Sequence, residues 1–387
     1  MKGRAISRTG KAAAAKRRGT TKKRRTVQTK SSAPGVTRVI DADSHVLEPP
    51  EMWGKYLEPE FREQAPYFIK DEQGGEHLVT EGVVHDRIPY PEEGWTARRP
   101  GGFNPHERVK DMDHEGIDVQ VLFPTQGLYI QAVKTPTLAA ALCRAYNNWL
   151  ADYCRAYPGR FVGIGAVPVH DVAEAVKEAR RAITQLGMKG IFVRPNPLNG
   201  RTLENPIYDP LYAEIQELNA TFCVHEATGN FPAAGADRYQ NYFLRHLFSH
   251  ALEQKIACST IICGGVLERF PRLRVVFLES GVGWLPHWLE RMDEHYEGLS
   301  YMVPWLKMSP SEYFRRQCFI SADPDEKTIP YVVETVGADH IVFGSDYPHF
   351  DMKFPGAVAA VRDRKELSAE ARKKILYETP ARLYNIN

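Results

Sequence analysis

No apolar run in this chain approaches the ~20 residues needed to span a bilayer, which excludes a transmembrane helix and sets the expectation of a cytoplasmic protein. Cysteine is sparse: six in 387 residues, none in a Cys-x-x-Cys pair, several inside apolar runs. That pattern excludes a disulfide framework or a zinc ribbon and fits reduced, buried thiols. No internal repeat is found. The first forty residues lack acid altogether while holding thirteen Lys and Arg, so the net charge of +2 hides a remainder with 37 basic against 48 acidic residues. They also lack an apolar core segment, which excludes a secretory signal. Residues 1–36 are therefore expected to form a basic, disordered tail, too polar to bury. Such a tail could touch nucleic acid, but a solvated extension is the simpler reading.

What is present is rhythm. Short apolar runs rich in β-branched and aromatic residues recur at 39–45, 119–123, 161–167, 190–194, 221–225, 273–278, 318–321 and 340–343. Helical stretches separate most of them, at 106–115, 137–157, 172–186, 209–218, 237–263, 284–297 and 328–336, with 369–377 and 379–384 closing the chain. Continuous apolar strands alternating with helices predict a parallel sheet covered on its outer face. The expected fold is an α/β, (β/α)8 TIM-like barrel over 37–387. Residues 46–116, rich in Pro, Gly and aromatics and containing a hairpin over 77–89, read as a long insertion after the first strand that folds over the barrel mouth. Loops of that length are usually functional.

In such a barrel the chemistry sits where the strands end, and several of these runs end in a potential metal ligand. Asp43 and His45 are two apart on the first strand, so both side chains leave one face. An oxygen donor beside an imidazole suits Zn, Mn or Fe. His225 ends the fifth run and Glu279 directly follows the sixth. Asp346 follows the eighth, where it could otherwise cap the next turn. His246 and His250, at i and i+4 of a helical stretch, place two imidazoles on one face. Glu48 and His349 are further candidates near the site. Arg194, at the end of the fourth run, could bind a substrate carboxylate bidentately or serve a structural ion pair.

The order of these residues, with Gly264-Gly-Val-Leu-Glu-Arg-Phe-Pro271 and Gly344-Ser-Asp-Tyr-Pro348, resembles the amidohydrolase superfamily (amidohydrolase family 2). The resemblance is to the branch of aminocarboxymuconate-semialdehyde and resorcylate decarboxylases. It implies one divalent metal ion on Asp43, His45, His225 and Asp346, with Asp346 also shuttling a proton. Asp43 stands where the family has His or Glu. Glu279 stands where the branch normally has a sixth-strand His, which implies a proton-transfer role and also raises a two-ion alternative with His246, His250, His349 and Glu48 nearby. No lysine ends the fourth strand, Lys189 lying before it, so a carbamylated lysine bridge is not expected.

The expected function is metal-dependent decarboxylation or hydrolysis of a small carboxylated or cyclic organic molecule, in a homodimer that touches no membrane. Glu279 and Asp346 would be catalytic. The alternatives are a dinuclear non-heme iron oxygenase on the same barrel, and a nucleic-acid-associated protein acting through its tail.

Overall fold

In the computed structural model the described residues are 38–87, 99–228 and 233–387. The basic tail and the middle of the insertion lie outside them. Eight parallel strands form the barrel: β1 (Ile40–His45), β5 (Val119–Phe123), β6 (Phe161–Ala166), β7 (Gly190–Val193), β8 (Thr221–Val224), β9 (Arg274–Phe277), β10 (Cys318–Ala322) and β11 (Ile341–Phe343). They are hydrogen-bonded in that order. Helices cover the outside, so the strands are buried on both faces and, apart from β1, are mostly apolar. No helix among the described residues is long and apolar enough to cross a membrane.

The seam between β11 and β1 closes through irregular bonds at the C-terminal end. Ser345 N and Asp346 N both donate to Asp43 O, at 3.1 and 3.0 Å, and His45 N donates to Tyr347 O at 2.6 Å. The pairing of β1 with β5 shifts register between Asp41 and Ser44, a local irregularity of the kind that re-aims side chains beside active sites. Below the site, Asp41 latches the seam, accepting from Gln120 Nε2 at 2.8 Å, Ser345 N at 2.9 Å and Ser345 Oγ at 2.5 Å. Burial pushes its carboxyl up to about 6.

The insertion holds a three-stranded antiparallel sheet, β2 (Tyr67–Lys70), β3 (Glu76–Thr80) and β4 (Val83–Arg87). The hairpin expected from residue 77 onward is β3–β4, turning through Glu81 and Gly82 with φ of 47° and 75°; its expected end at 88–89 lies outside the described residues. Two positive φ values at the turn suit the twist of the flanking strands. The third strand was not foreseen, and neither was the helix Pro310–Gln317. Its start was readable all the same: Ser309 N donates to Glu312 Oε2 at 2.8 Å, the reciprocal half of an S-x-x-E capping box.

Candidate metal centre

The C-terminal ends of β1, β8, β9 and β11 deliver five side chains to one point. Asp43 Oδ1, His45 Nε2, His225 Nε2 and Asp346 Oδ1 are all buried without a properly aligned hydrogen bond, although His349 Nδ1 approaches Asp346 Oδ1 at 2.7 Å. Buried polar atoms are rarely left so. They meet at His45: Asp43 Oδ1 to His225 Nε2 is 3.4 Å and His45 Nε2 to Asp43 Oδ1 is 3.8 Å within one donor group, while His45 Nε2 to Asp346 Oδ1 is 3.4 Å within a second group that also holds Glu279 and His349. Donors ~2.1 Å from a tetrahedral ion stand about 3.4 Å apart. The residues fit a divalent cation.

Both imidazoles are oriented for the task. His45 Nδ1 donates to Pro124 O at 2.7 Å and His225 Nδ1 to Glu226 O at 2.8 Å, which fixes the tautomer and leaves each Nε2 lone pair facing inward. Burial, with the neighbouring His349 and His225, holds His45 well below its ordinary value, so it is neutral, as a ligand must be. Ser321, on β10, ties the set together, donating from Oγ to Asp43 Oδ2 at 3.1 Å and accepting from Glu279 N at 3.0 Å.

Glu279 stands at the edge of the cluster, Oε2 3.3 Å from His225 Nε2 and Oε1 3.3 Å from His250 Nε2. Burial opposes its charge, but His250 and His225 overcome that and hold it well below the usual carboxylate range. Against burial, Glu279 in turn raises His250 to about 9. Asp346 moves the other way: burial, then the charges of Glu279, Asp351 and Asp43, push it well above the carboxylate range. That crowding is what a cation relieves. Glu279 and Asp346 also share left-handed backbone, φ 51° and 55°, which costs a non-glycine residue ~1–2 kcal/mol. Such strain clusters at functional sites.

A cavity of about 90 Å³ opens above Glu279, walled by Leu78, His85 and Asp86 of the insertion and by Tyr129, Tyr242 and Phe350. His246 and His250 line it from the helix Tyr242–Cys263, with His246 Nε2 3.5 Å from Asp351 Oδ2. His349 stacks on His45 at 4.0 Å between ring centroids and pairs through Nε2 with Thr125 Oγ1 at 2.9 Å. Its Nδ1 approaches Asp346 and groups with His45, Glu279 and Asp346 as a possible donor.

Two expected site residues do other work. Glu48 accepts from the backbone N–H of Thr125, Gln126 and Gly127 at 3.2, 2.9 and 2.8 Å. Its carboxylate holds the loop after β5 and is not part of the cluster. Arg194 does not clamp a substrate carboxylate at the mouth: it is buried, donating from Nη2 to Glu226 Oε1 and Ala227 O, both at 2.6 Å. Burial at the strand end made the structural pair win, and it steadies the segment just after His225.

Sequence reasoning passed over Asp41 and Ser321, though both were within its reach. Asp41 lies two residues before Asp43 on the same strand, and Ser321 ends the seventh apolar run. Arg108 carried no such signal. It is wholly buried, donating to His45 O at 2.6 Å, Gln120 Oε1 at 2.7 Å and Ser44 Oγ at 3.0 Å.

The chain resembles known proteins in sequence and in fold. The 2-amino-3-carboxymuconate-6-semialdehyde decarboxylase of Dictyostelium discoideum is 28% identical over 247 residues, 64% of this chain and 67% of that protein. The gamma-resorcylate decarboxylase of Polaromonas sp. is 24% identical over 330 residues, 81% of this chain and 97% of the relative. A crystal structure of 5-carboxyvanillate decarboxylase from Novosphingobium aromaticivorans, complexed with manganese and 4-hydroxy-3-methoxy-5-nitrobenzoic acid, shares the fold at a TM-score of 0.69 and 21% identity, covering 90% of this chain and 96% of the other. The amidohydrolase family model matches residues 40–386, nearly the whole barrel, and the chain belongs to the amidohydrolase family.

Proposed function

We infer that the protein decarboxylates a small carboxylated aromatic or conjugated acid, using a divalent ion on Asp43, His45, His225 and Asp346. The observation that carries this is the gathering of Asp43, His45 and His225 donor atoms, with Asp346 3.4 Å from His45, beside a cavity walled in part by Tyr129, Tyr242 and Phe350. When bound there, a divalent ion supplies a Lewis acid that polarises a substrate oxygen. The relatives named as decarboxylases support the choice of reaction, and the manganese of the solved neighbour supports Mn as the ion.

The chain's own groups supply the rest. The leaving carboxyl departs as CO2 when its C–C bond breaks, and the carbon left behind takes a proton. Glu279, which lines the cavity, and Asp346, 3.4 Å from His45, move the proton. Tyr129, Tyr242 and Phe350 suit a flat ring, and Leu78, His85 and Asp86 of the insertion wall one side of the cavity. No lysine or arginine lines the cavity among the described residues, so the substrate's negative charge is met by the ion.

Elemental analysis of purified protein, with CO2 release from a panel of hydroxybenzoates and conjugated dicarboxylic acids, tests this reading. His225→Ala is expected to lose the ion and all turnover while keeping its fold. CO2 release undiminished by that change would end the proposal. Two irons per chain with substrate-dependent oxygen uptake would favour the dinuclear oxygenase instead.

A further inference from the structure

The first ion does not use everything the site contains. His246, His250 and Glu279 form a second group of donors close enough to share one ion, and Glu279 also groups with His45 and Asp346 of the first site. Its Oε2 faces His225 Nε2 and its Oε1 faces His250 Nε2, each at 3.3 Å. A carboxylate presenting one oxygen to each of two imidazole-bearing sites is the geometry of a bridge, and bridged ions stand ~3.5–4 Å apart. Resting on the first-ion reading above, we propose that the protein holds a second divalent ion on His246 and His250, bridged to the first by Glu279.

Three independent features point the same way. The i, i+4 spacing puts both imidazoles on the cavity face of one helix, ring centroids 4.7 Å apart. His250 Nδ1 pairs with Ser249 Oγ at 3.1 Å, so its Nε2 is the nitrogen turned to Glu279, as an oriented ligand requires. Charge is the third. Asp43, Glu279, Asp346 and Asp351 crowd this one end of the barrel, and among the described residues no lysine or arginine lines the cavity. Asp351 is exposed, but one divalent ion still leaves one of the three more buried carboxylates, Asp43, Glu279 and Asp346, unmet, a costly state for such groups, whereas a second ion meets it. Asp351 Oδ2, 3.5 Å from His246 Nε2, is within reach as a further donor. In the two-ion centre Glu279 is a ligand, and proton transfer falls to Asp346. A plain His250–Glu279 ion pair is the competing account of the same contact.

The test counts ions. Full-length protein is stripped with chelator, titrated separately with Mn²⁺ and, without oxygen, Fe²⁺, desalted and analysed for metal. The wild type is expected to retain two ions per chain and to show an exchange-coupled dimanganese spectrum. His246→Ala, at a partly exposed position, is expected to keep its melting temperature and retain one ion, with the spectrum of isolated Mn²⁺. Glu279→Gln is expected to lose the coupling as well. A wild type that saturates at one ion, or a His246→Ala protein that binds as many ions as the wild type, overturns the proposal. Saturation at one ion with CO2 release intact removes only the second site. Two ions without CO2 release removes only the decarboxylase reading.

Discussion

Ser321→Ala is the smallest perturbation that tests how the first ion is held. The hydroxyl donates to Asp43 Oδ2 at 3.1 Å and accepts from Glu279 N at 3.0 Å; Ser321 is 2% exposed, so little water is at hand to replace it. Its loss leaves one buried N–H without a partner, about 1–3 kcal/mol. For a barrel of this length, unfolding entropy of ~2.1 cal/mol/K per residue turns about 2 kcal/mol into a fall of roughly 3 °C in melting temperature. The loss of the bond to Asp43 frees a ligand to rotate. Removing an outer partner of this kind costs roughly 10- to 100-fold in metal affinity. Competition against a chelator of known affinity measures that, and differential scanning calorimetry of the metal-free protein measures the first effect separately. Metal affinity within twofold of wild type would refute the claim that Asp43 is a ligand aligned by Ser321.

Arg108→Met removes three short hydrogen bonds, to His45 O, Gln120 Oε1 and Ser44 Oγ, and should destabilise the fold by about 3 kcal/mol; urea unfolding would show it. Arg194→Ala leaves Glu226 buried and unpaired, for a loss of roughly 3–5 kcal/mol, with KM little changed where a carboxylate clamp would have raised it. Asp41 ionises at about 6 when folded against 3.8 for the free side chain. Because the folded value is the higher one, its contribution to stability is full below 3.8 and is lost as pH rises through 6. Asp41→Asn has no such titration, so it should lose ground to the wild type by up to about 3 kcal/mol as pH falls from 7 towards 4, read from urea midpoints at each pH.

The barrel was legible because its signal is local. The runs containing Val119, Phe161, Gly190, Thr221 and Cys318 are short and mostly apolar, and each becomes a strand within a residue or two of its expected bounds, since burial on both faces leaves few polar positions to blur the pattern. The ligand candidates were legible for a related reason: a strand points its terminal side chains into the barrel mouth, so Asp43, His45, His225 and Glu279 could be placed once their strands were. The order of those residues also marked the family before any coordinate did.

What the chain's order of residues determined, then, was the barrel, the strand ends and the identity of the groups gathered at its mouth. The tertiary structure alone decided how those groups divide the work. Whether Arg194 faces a substrate or Glu226, whether Glu48 meets an ion or three backbone N–H groups, and which atoms Glu279 stands between depend on contacts between residues tens to hundreds of positions apart. No periodicity encodes such pairings. They are set by loops after different strands, packed against one another where the barrel seam closes through Asp41, Ser345 and Asp43.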